Sequence, residues 1–121
     1  MNFKDNIIAV KSYSFALRIV NMYKWIVSEK KEFVLSKQIL RSGTAIGALI
    51  KEAEHAQSKA DFLNKMNIAL KEANETEYWL MLLKDSEFIL ENEFNSMQTD
   101  CSELIKLLAS IVKTTKIKLD K

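Results

Sequence analysis

The only two glycines of the chain, Gly43 and Gly47, stand four residues apart in Arg41–Ala53, a stretch that otherwise has the composition of one helix. Residues four apart share a helix face, and each glycine costs about 1 kcal/mol relative to alanine inside a helix. Close approach of a neighbouring helix backbone is the usual compensation. We therefore predict that this stretch forms the close-packed contact of a helical bundle, with Gly43 and Gly47 as structural residues.

Composition favours an all-α fold. The 121 residues include no proline and no further glycine, whereas β-rich and loop-rich chains need many of both for their turns. The length suits one domain with its own core. Amphipathic segments predict helices at about 5–28, 36–56, 58–86 and 93–115, followed by a basic tail at 116–121. Short connections between them favour an up-down-up-down antiparallel four-helix bundle.

Each predicted helix has an apolar face with the 3-4 spacing of a bundle. On the first helix this face comprises Ile8, Ser12, Phe15, Ile19, Met22 and Ile26. The first and third helices also have apolar residues away from that face. These are Val10, Tyr13, Leu17 and Val20 on the first helix, and Ile68, Tyr78, Trp79 and Leu82 on the third. Apolar patches outside the core mark interaction sites, so we predict a ring-like homo-oligomer in which one patch meets the other head to tail.

Glu77 falls within the apolar face of the third helix, where an unpaired charge would be costly. A structural contact that fixes helix register is the favoured interpretation over catalysis. The predicted partners are Arg18, Ser42 and Thr44.

Two serines are candidates to begin helices. Ser36 is a candidate N-cap for the second helix. The segment Ser58-Lys59-Ala60-Asp61 resembles a capping box in which aspartate replaces the usual glutamate. The lysine-rich tail after Thr115 is predicted to fray.

Charge is distributed unevenly along the chain. Residues 1–51 contain nine Lys/Arg and three Asp/Glu, residues 52–105 contain four and twelve, and residues 106–121 contain five and one. If the first and last helices are neighbours, they form a basic face that attracts polyanions, although an ordinary solvated surface is the other interpretation. The candidate nucleic-acid-binding residues are Lys4, Lys11, Arg18, Lys30, Lys31, Lys37, Arg41, Lys113, Lys116 and Lys118, with Lys121 also in the tail.

Catalytic and metal-binding patterns are absent from the sequence. A serine or cysteine nucleophile needs a histidine base, and the single histidine, His55, has no supporting motif. No P-loop, zinc spacing or pair of Glu-x-x-His motifs is present. We therefore predict no catalytic residue, no cofactor and no metal. The lone Cys101 suits a reducing cytosol, and the lack of a signal peptide or membrane span predicts a cytoplasmic protein without a membrane partner.

Four blocks of sequence resemble a known family. They are Ser14–Val20, Arg41–Ala48, Gln57–Phe62 and Ala69–Leu80, and together they resemble the bacterial four helix bundle protein family, whose founding members are encoded in intervening sequences of 23S ribosomal RNA genes. The resemblance covers about residues 10–115. It implies a bundle that assembles as a homopentamer. A relative of this family, the accessory variability determinant of diversity-generating retroelements, binds nucleic acid and its reverse transcriptase through a basic surface. The resemblance therefore implies a similar basic binding surface on this chain.

Two functional interpretations remain open on these grounds. In the first, a non-enzymatic homo-oligomer binds RNA, DNA or a nucleic-acid-processing protein through its basic face. In the second, the oligomer is a protein–protein interaction scaffold that binds no nucleic acid. A salt titration separates them, because phosphate binding weakens steeply as salt rises.

Overall fold

The computed structural model describes the backbone of residues 3–120 and the side chains of residues 6–120. This part of the chain contains four α-helices and no strand, so the predicted all-α fold with four helices is confirmed. A single π-helical turn, Ile26–Lys30, follows the first helix directly. The helices are α1, Phe3–Trp25; α2, Leu35–Ala53; α3, Lys59–Asp85; and α4, Glu91–Leu119.

The four helices surround one core. α2 packs against α1 and α3, and α4 packs against α3 and α1. Fully buried large side chains come from every helix, among them Phe15, Ile19, Ile46, Leu80 and Leu104. Burial of one such side chain contributes about 1.5–3 kcal/mol. The core therefore follows the 3-4 apolar spacing of the sequence.

The two glycines lie where α2 approaches α1. A Cβ atom added at Gly43 would lie only 2.7–2.9 Å from three side-chain atoms of Ile19. At Gly47 it would lie 3.4 Å from the carbonyl oxygen of Ser12, which is near ordinary van der Waals contact. Gly43 thus makes room for a buried isoleucine, whereas Gly47 lies beside the backbone of α1.

The N-terminus of α2 differs from the prediction, because Ser36 is not its N-cap. Ser36 is buried inside the helix, and its hydroxyl donates to the carbonyl oxygen of Glu32 at 2.9 Å. The capping group is instead the Glu32 carboxylate. It accepts hydrogen bonds from the backbone N–H groups of Val34, Leu35 and Ser36 at 2.7–2.8 Å. Three otherwise unpaired donors of the first turn are thereby satisfied.

This cap affects the ionisation of Glu32. Partial burial acts to raise its pKa, but the N–H groups of Leu35, Ser36 and Val34 together outweigh burial and hold the pKa below the usual glutamate range. The carboxylate therefore stays charged near the positive end of the α2 dipole. The preceding Lys31 adopts a left-handed conformation, with φ of 52°, and ends the π-helical turn.

The capping box before α3 forms between Ser58 and Asp61, with one partner that differs from the usual pattern. The Ser58 hydroxyl accepts a hydrogen bond from the Asp61 N–H at 3.0 Å, and Asp61 accepts one from the Gln57 N–H at 3.2 Å. The Gln57 N–H and then the Lys65 ammonium, 3.3 Å away, lower the pKa of Asp61. The box is therefore reciprocal, although its return bond reaches the residue before the N-cap.

The remaining helix ends correct the predicted boundaries. α2 ends at Ala53 rather than near residue 56, and α4 begins at Glu91 rather than near residue 93. The tail that was predicted to fray is helical as far as Leu119, and the Asp120 N–H donates to the Lys116 carbonyl at 3.1 Å. The last buried residue is Thr115, so the final turn of α4 extends beyond the core.

Candidate functional site

Two of the candidate cations on α1 are neutralised by α4. The Lys11 ammonium lies 3.1 Å from the Glu103 carboxylate. The Arg18 guanidinium donates to Asp100 at 2.6 Å and to the Ser96 hydroxyl at 2.8 Å. The predicted basic face of the first and last helices is therefore charge-compensated along the middle of the α1–α4 contact, which weakens its attraction for polyanions.

Arg41 is likewise occupied, between α2 and α3. Its guanidinium pairs with Glu72 at 3.3 Å and also with Glu75. Glu75 in turn accepts a hydrogen bond from the Trp79 indole N–H at 3.1 Å. Trp79 packs against the core, and the exposed ring of Tyr78 meets it edge to face with centroids 5.0 Å apart. Arg41 therefore contacts the same carboxylate that accepts the hydrogen bond from the Trp79 indole.

The other basic candidates with described side chains are exposed and make no ion pair with another described side chain. They are Lys30, Lys31, Lys37, Lys113, Lys116 and Lys118. The Lys30 ammonium lies 5.5 Å from the centre of the Trp25 ring, a cation–π contact. The side chain of Lys4 and all of Lys121 lie outside the described residues.

Glu77 has a different partner from those predicted. It is half-buried, and its carboxylate accepts a hydrogen bond from the Gln98 amide of α4. Arg18 is bound to α4 instead, and the Ser42 hydroxyl accepts a hydrogen bond from Thr76 at 2.9 Å. The third candidate, Thr44, donates to a carbonyl of its own helix. The contact therefore joins α3 to α4.

The residues of the two predicted apolar patches differ in exposure. On α1, Val10 and Tyr13 are both 67% exposed and Leu17 is 51% exposed. On α3 only Tyr78, at 58%, is strongly exposed. The remaining members, Val20, Ile68, Trp79 and Leu82, are half-buried. Sequence reasoning missed Met81, which is 48% exposed and lies three residues after Tyr78, the spacing that signals a shared helix face.

A groove of about 700 Å³ runs between α1 and α2 beside the exposed residues of α1. Val10 and Tyr13 border it, and Lys51 and Glu54 lie at one end. Its lining is mostly of small side chains: Ala9, Ser12, Ala16, Thr44, Gly47 and Ala48. We call this the α1–α2 groove. Sequence reasoning treated these small residues only as a helix contact within the subunit.

The described side chains lack the usual signs of a catalytic or metal centre. Cys101 is buried, and its pKa is raised to about 12 by burial and by the negative charges of Glu77 and Asp100. His55 is exposed. Among residues 6–120, no cluster of three or more His, Cys, Asp or Glu residues is arranged to hold a metal ion. Within the described helices, none has the length and apolarity to cross a membrane.

These features define a small all-helical bundle with exposed apolar residues on α1 and α3, among other places, and with ion pairs for Lys11, Arg18 and Arg41. The chain belongs to the 23S rRNA-intervening sequence protein family, whose model matches residues 4–110, so the resemblance found in the sequence is confirmed. The chain is similar to a protein of unknown function from the S23 ribosomal protein family of Bacteroides thetaiotaomicron, whose crystal structure is known and whose sequence is 63% identical. The match has a TM-score of 0.90 and covers 92% of this chain and 99% of that chain. Comparison with curated proteins finds no match.

Proposed function

We propose that this protein is a non-enzymatic homo-oligomer that works as an interaction scaffold. The observation that supports this best is the exposure of five large apolar side chains on two helix faces: Val10, Tyr13 and Leu17 on α1, and Tyr78 and Met81 on α3. Leaving such faces in water favours association. The family resemblance makes five the expected copy number.

Helix direction supports a ring. Along α1 and α2, Ile19 lies beside Gly43 and the earlier Ser12 lies beside the later Gly47, so the two helices are antiparallel. The Cys101 thiol donates to the carbonyl of Ala73, while Gln98, earlier on α4, binds Glu77, later on α3. Together with the short connection between α2 and α3, these contacts support an up-down-up-down bundle, in which α1 and α3 run in the same direction at opposite corners. Opposite corners suit a head-to-tail contact, in which each copy presents a different face to each neighbour.

The test is the molecular mass of Tyr13→Glu and Tyr78→Glu by size exclusion with light scattering. Both residues are exposed, so each variant should keep its helical circular dichroism spectrum but elute at a lower mass than the native protein. Asn95→Glu, an exposed position on α4, is the matched control and should leave the mass unchanged. If both tyrosine variants keep the native mass, these faces are not the interface.

Binding of nucleic acid is a second candidate, favoured by the free lysines at the end of α4. Lys113 and Lys116 share a face with the exposed Lys106, and Lys118 lies in the last turn of the helix. Because Lys11, Arg18 and Arg41 already have carboxylate partners, we assign phosphate contact to these α4 lysines. Lys113→Glu/Lys116→Glu should weaken RNA or DNA binding and flatten its dependence on salt. Lys59→Glu, at the exposed start of α3, is the control. Equal binding by the native protein and both variants would leave only the scaffold interpretation.

A further inference from the structure

We propose that the α1–α2 groove binds the outer face of α3 from a second copy of this chain. That face, the α3 ridge, consists of exposed residues at 3-4 spacing: Lys71, Asn74, Tyr78, Met81 and Asp85. The inference rests on the proposed self-assembly and names the surfaces that meet. The sequence predicted an interface between residues of α1 and α3. The groove adds residues of α2 to the α1 side of that interface.

Shape is the first argument. The groove is lined by small residues, so bulky side chains can enter it. The centre of the α3 ridge has Tyr78 and Met81, which lie one turn apart and are 58% and 48% exposed. The Tyr78 ring rests against Trp79, whose indole is fixed by the bond to Glu75. An aromatic side chain held in place before binding loses little freedom on association.

Charge is the second argument, and it selects one orientation. Two exposed lysines without a described ion-pair partner, Lys24 and Lys37, lie about two helical turns beyond the groove, towards the end of α1. At the opposite end of the groove, Lys51 and Glu54 lie 3.6 Å apart and balance each other. With Tyr78 seated in the groove and α3 parallel to α1, Asp85 comes nearest to the two lysines, although its carboxylate also lies 3.7 Å from the ammonium of the adjacent Lys84. In the reverse orientation, Lys71 would approach them instead, and the like charges would repel.

The distances along the helices agree with this orientation. Asp85 follows Tyr78 by seven residues, and Lys24 follows Tyr13 by eleven. With Tyr78 level with Tyr13, four residues at 1.5 Å per residue leave about 6 Å between them along the axis. A lysine side chain spans that distance. The parallel orientation is also the one expected when the rotation axis is inclined to the bundle without crossing it at a right angle, because α1 and α3 run in the same direction.

The two surfaces lie at different heights in one subunit. Ile19 lies beside Gly43, and the neighbouring Ser42 binds Thr76, so Ile19 and Thr76 are nearly level. Tyr78 then lies eight residues above the level of Tyr13, or about 12 Å. A ring that joins ridge to groove therefore requires subunits inclined to the ring axis, since upright subunits would place Tyr78 above the groove.

Pairs of introduced cysteines test both the contact and its orientation. Parallel docking places Met81 opposite Thr44, three residues before Gly47, because α2 runs against the bound α3. Thr44→Cys/Met81→Cys should therefore form a ladder of disulfide-linked multimers under mild oxidation. Reverse docking would place Met81 opposite Lys51, so Lys51→Cys/Met81→Cys is the orientation control and Asn95→Cys/Met81→Cys the background control. The buried Cys101, with its raised pKa, can stay in every variant.

Each outcome supports or overturns a specific part of the proposal. A ladder from the first pair alone supports it, and a mixture of the two single variants should then give only crosslinked dimers. A ladder from Lys51→Cys/Met81→Cys overturns the parallel orientation, and disulfide dimers from Met81→Cys alone show ridge against ridge. Native-mass oligomers without any ladder overturn the groove while self-assembly stands. A monomeric native protein overturns the proposed function itself.

Discussion

Replacing Gly43 with alanine should destabilise the protein, although alanine is the better helix former. The helix preference of alanine contributes about 1 kcal/mol in favour of the variant. The new Cβ would, however, lie 2.7 Å from Cγ1, 2.9 Å from Cδ1 and 2.9 Å from Cγ2 of Ile19. Both branches of that side chain are involved and Ile19 is fully buried, so a change of rotamer does not remove the clash. Overpacking of this kind costs about 1–3 kcal/mol, which leaves a net loss of up to about 2 kcal/mol.

Gly47→Ala is the matched control, since its Cβ would meet the Ser12 carbonyl oxygen at 3.4 Å. That variant should be unchanged or more stable by up to about 1 kcal/mol. Urea denaturation followed by circular dichroism measures both, at two protomer concentrations because association adds to apparent stability. Ile19→Ala should cost about 1–3 kcal/mol less in the Gly43→Ala protein than in the native protein, because it removes the clashing atoms. Equal stability of the two glycine variants, or strict additivity in this cycle, would refute the reasoning.

Three further predictions concern the cap, the thiol and a surface ion pair. Glu32→Gln should lower the free energy of unfolding by about 1 kcal/mol at pH 7. Because the folded-state pKa of Glu32 lies below its ordinary value of about 4.5, this difference should persist above that pH and fade as the pH falls below it; a difference that is constant in urea titrations from pH 7 to pH 3 would contradict the cap. The Cys101 thiol, with a pKa of about 12, should react with a thiol reagent at pH 8 only after denaturation, and rapid labelling of the native protein would show that it is accessible. Asp100→Asn should cost less than about 1 kcal/mol in thermal unfolding, since both side chains of the pair with Arg18 are around two-fifths exposed; a loss above 2 kcal/mol would give this pair a larger role.

The fold was accessible from the sequence because periodicity reports which residues share a helix face. The positions of Ile8, Ser12, Phe15, Ile19 and Met22 repeat at 3-4 spacing, and all five are buried. Burial of apolar surface dominates the folding free energy, so a pattern repeated along four helices is a strong signal. The same reasoning applied to Gly43 and Gly47, where the helix penalty of glycine pointed to a close contact.

The hydrogen-bond and ion-pair partners of individual polar residues could not be predicted from periodicity. Periodicity assigned Glu77 to a buried face but did not fix which neighbour lies at its height, and its partner is Gln98 of α4 rather than Arg18 of α1. The cap of α2 was missed because Glu32 precedes the helix and reaches forward with a long side chain, whereas short polar side chains are the usual N-caps. Which residues of two neighbouring helices lie at the same level along the bundle depends on the geometry of the connections, and local sequence patterns do not encode that geometry.

The residues of the predicted apolar patches differ in how much of each side chain is exposed to solvent. Trp79 shares the outer side of α3 with Tyr78, yet its indole packs against the core and donates to Glu75. A change to glutamate at Trp79 would therefore damage the subunit as well as an interface, which is why Tyr78 carries the assembly test. The angular difference between adjacent residues on a helix is about 100°, enough to place one against the core and the other in water.

The mass of the native protein in solution tests the central claim most directly. Size exclusion with multi-angle light scattering at micromolar protomer concentration measures it without any substitution. Self-assembly through the α1 and α3 faces predicts a multiple of the 14.0-kDa chain, and a ring of five predicts about 70 kDa, independent of concentration over a tenfold dilution. A single species near 14 kDa would contradict the account, because the exposed apolar residues would then remain in water in the free subunit.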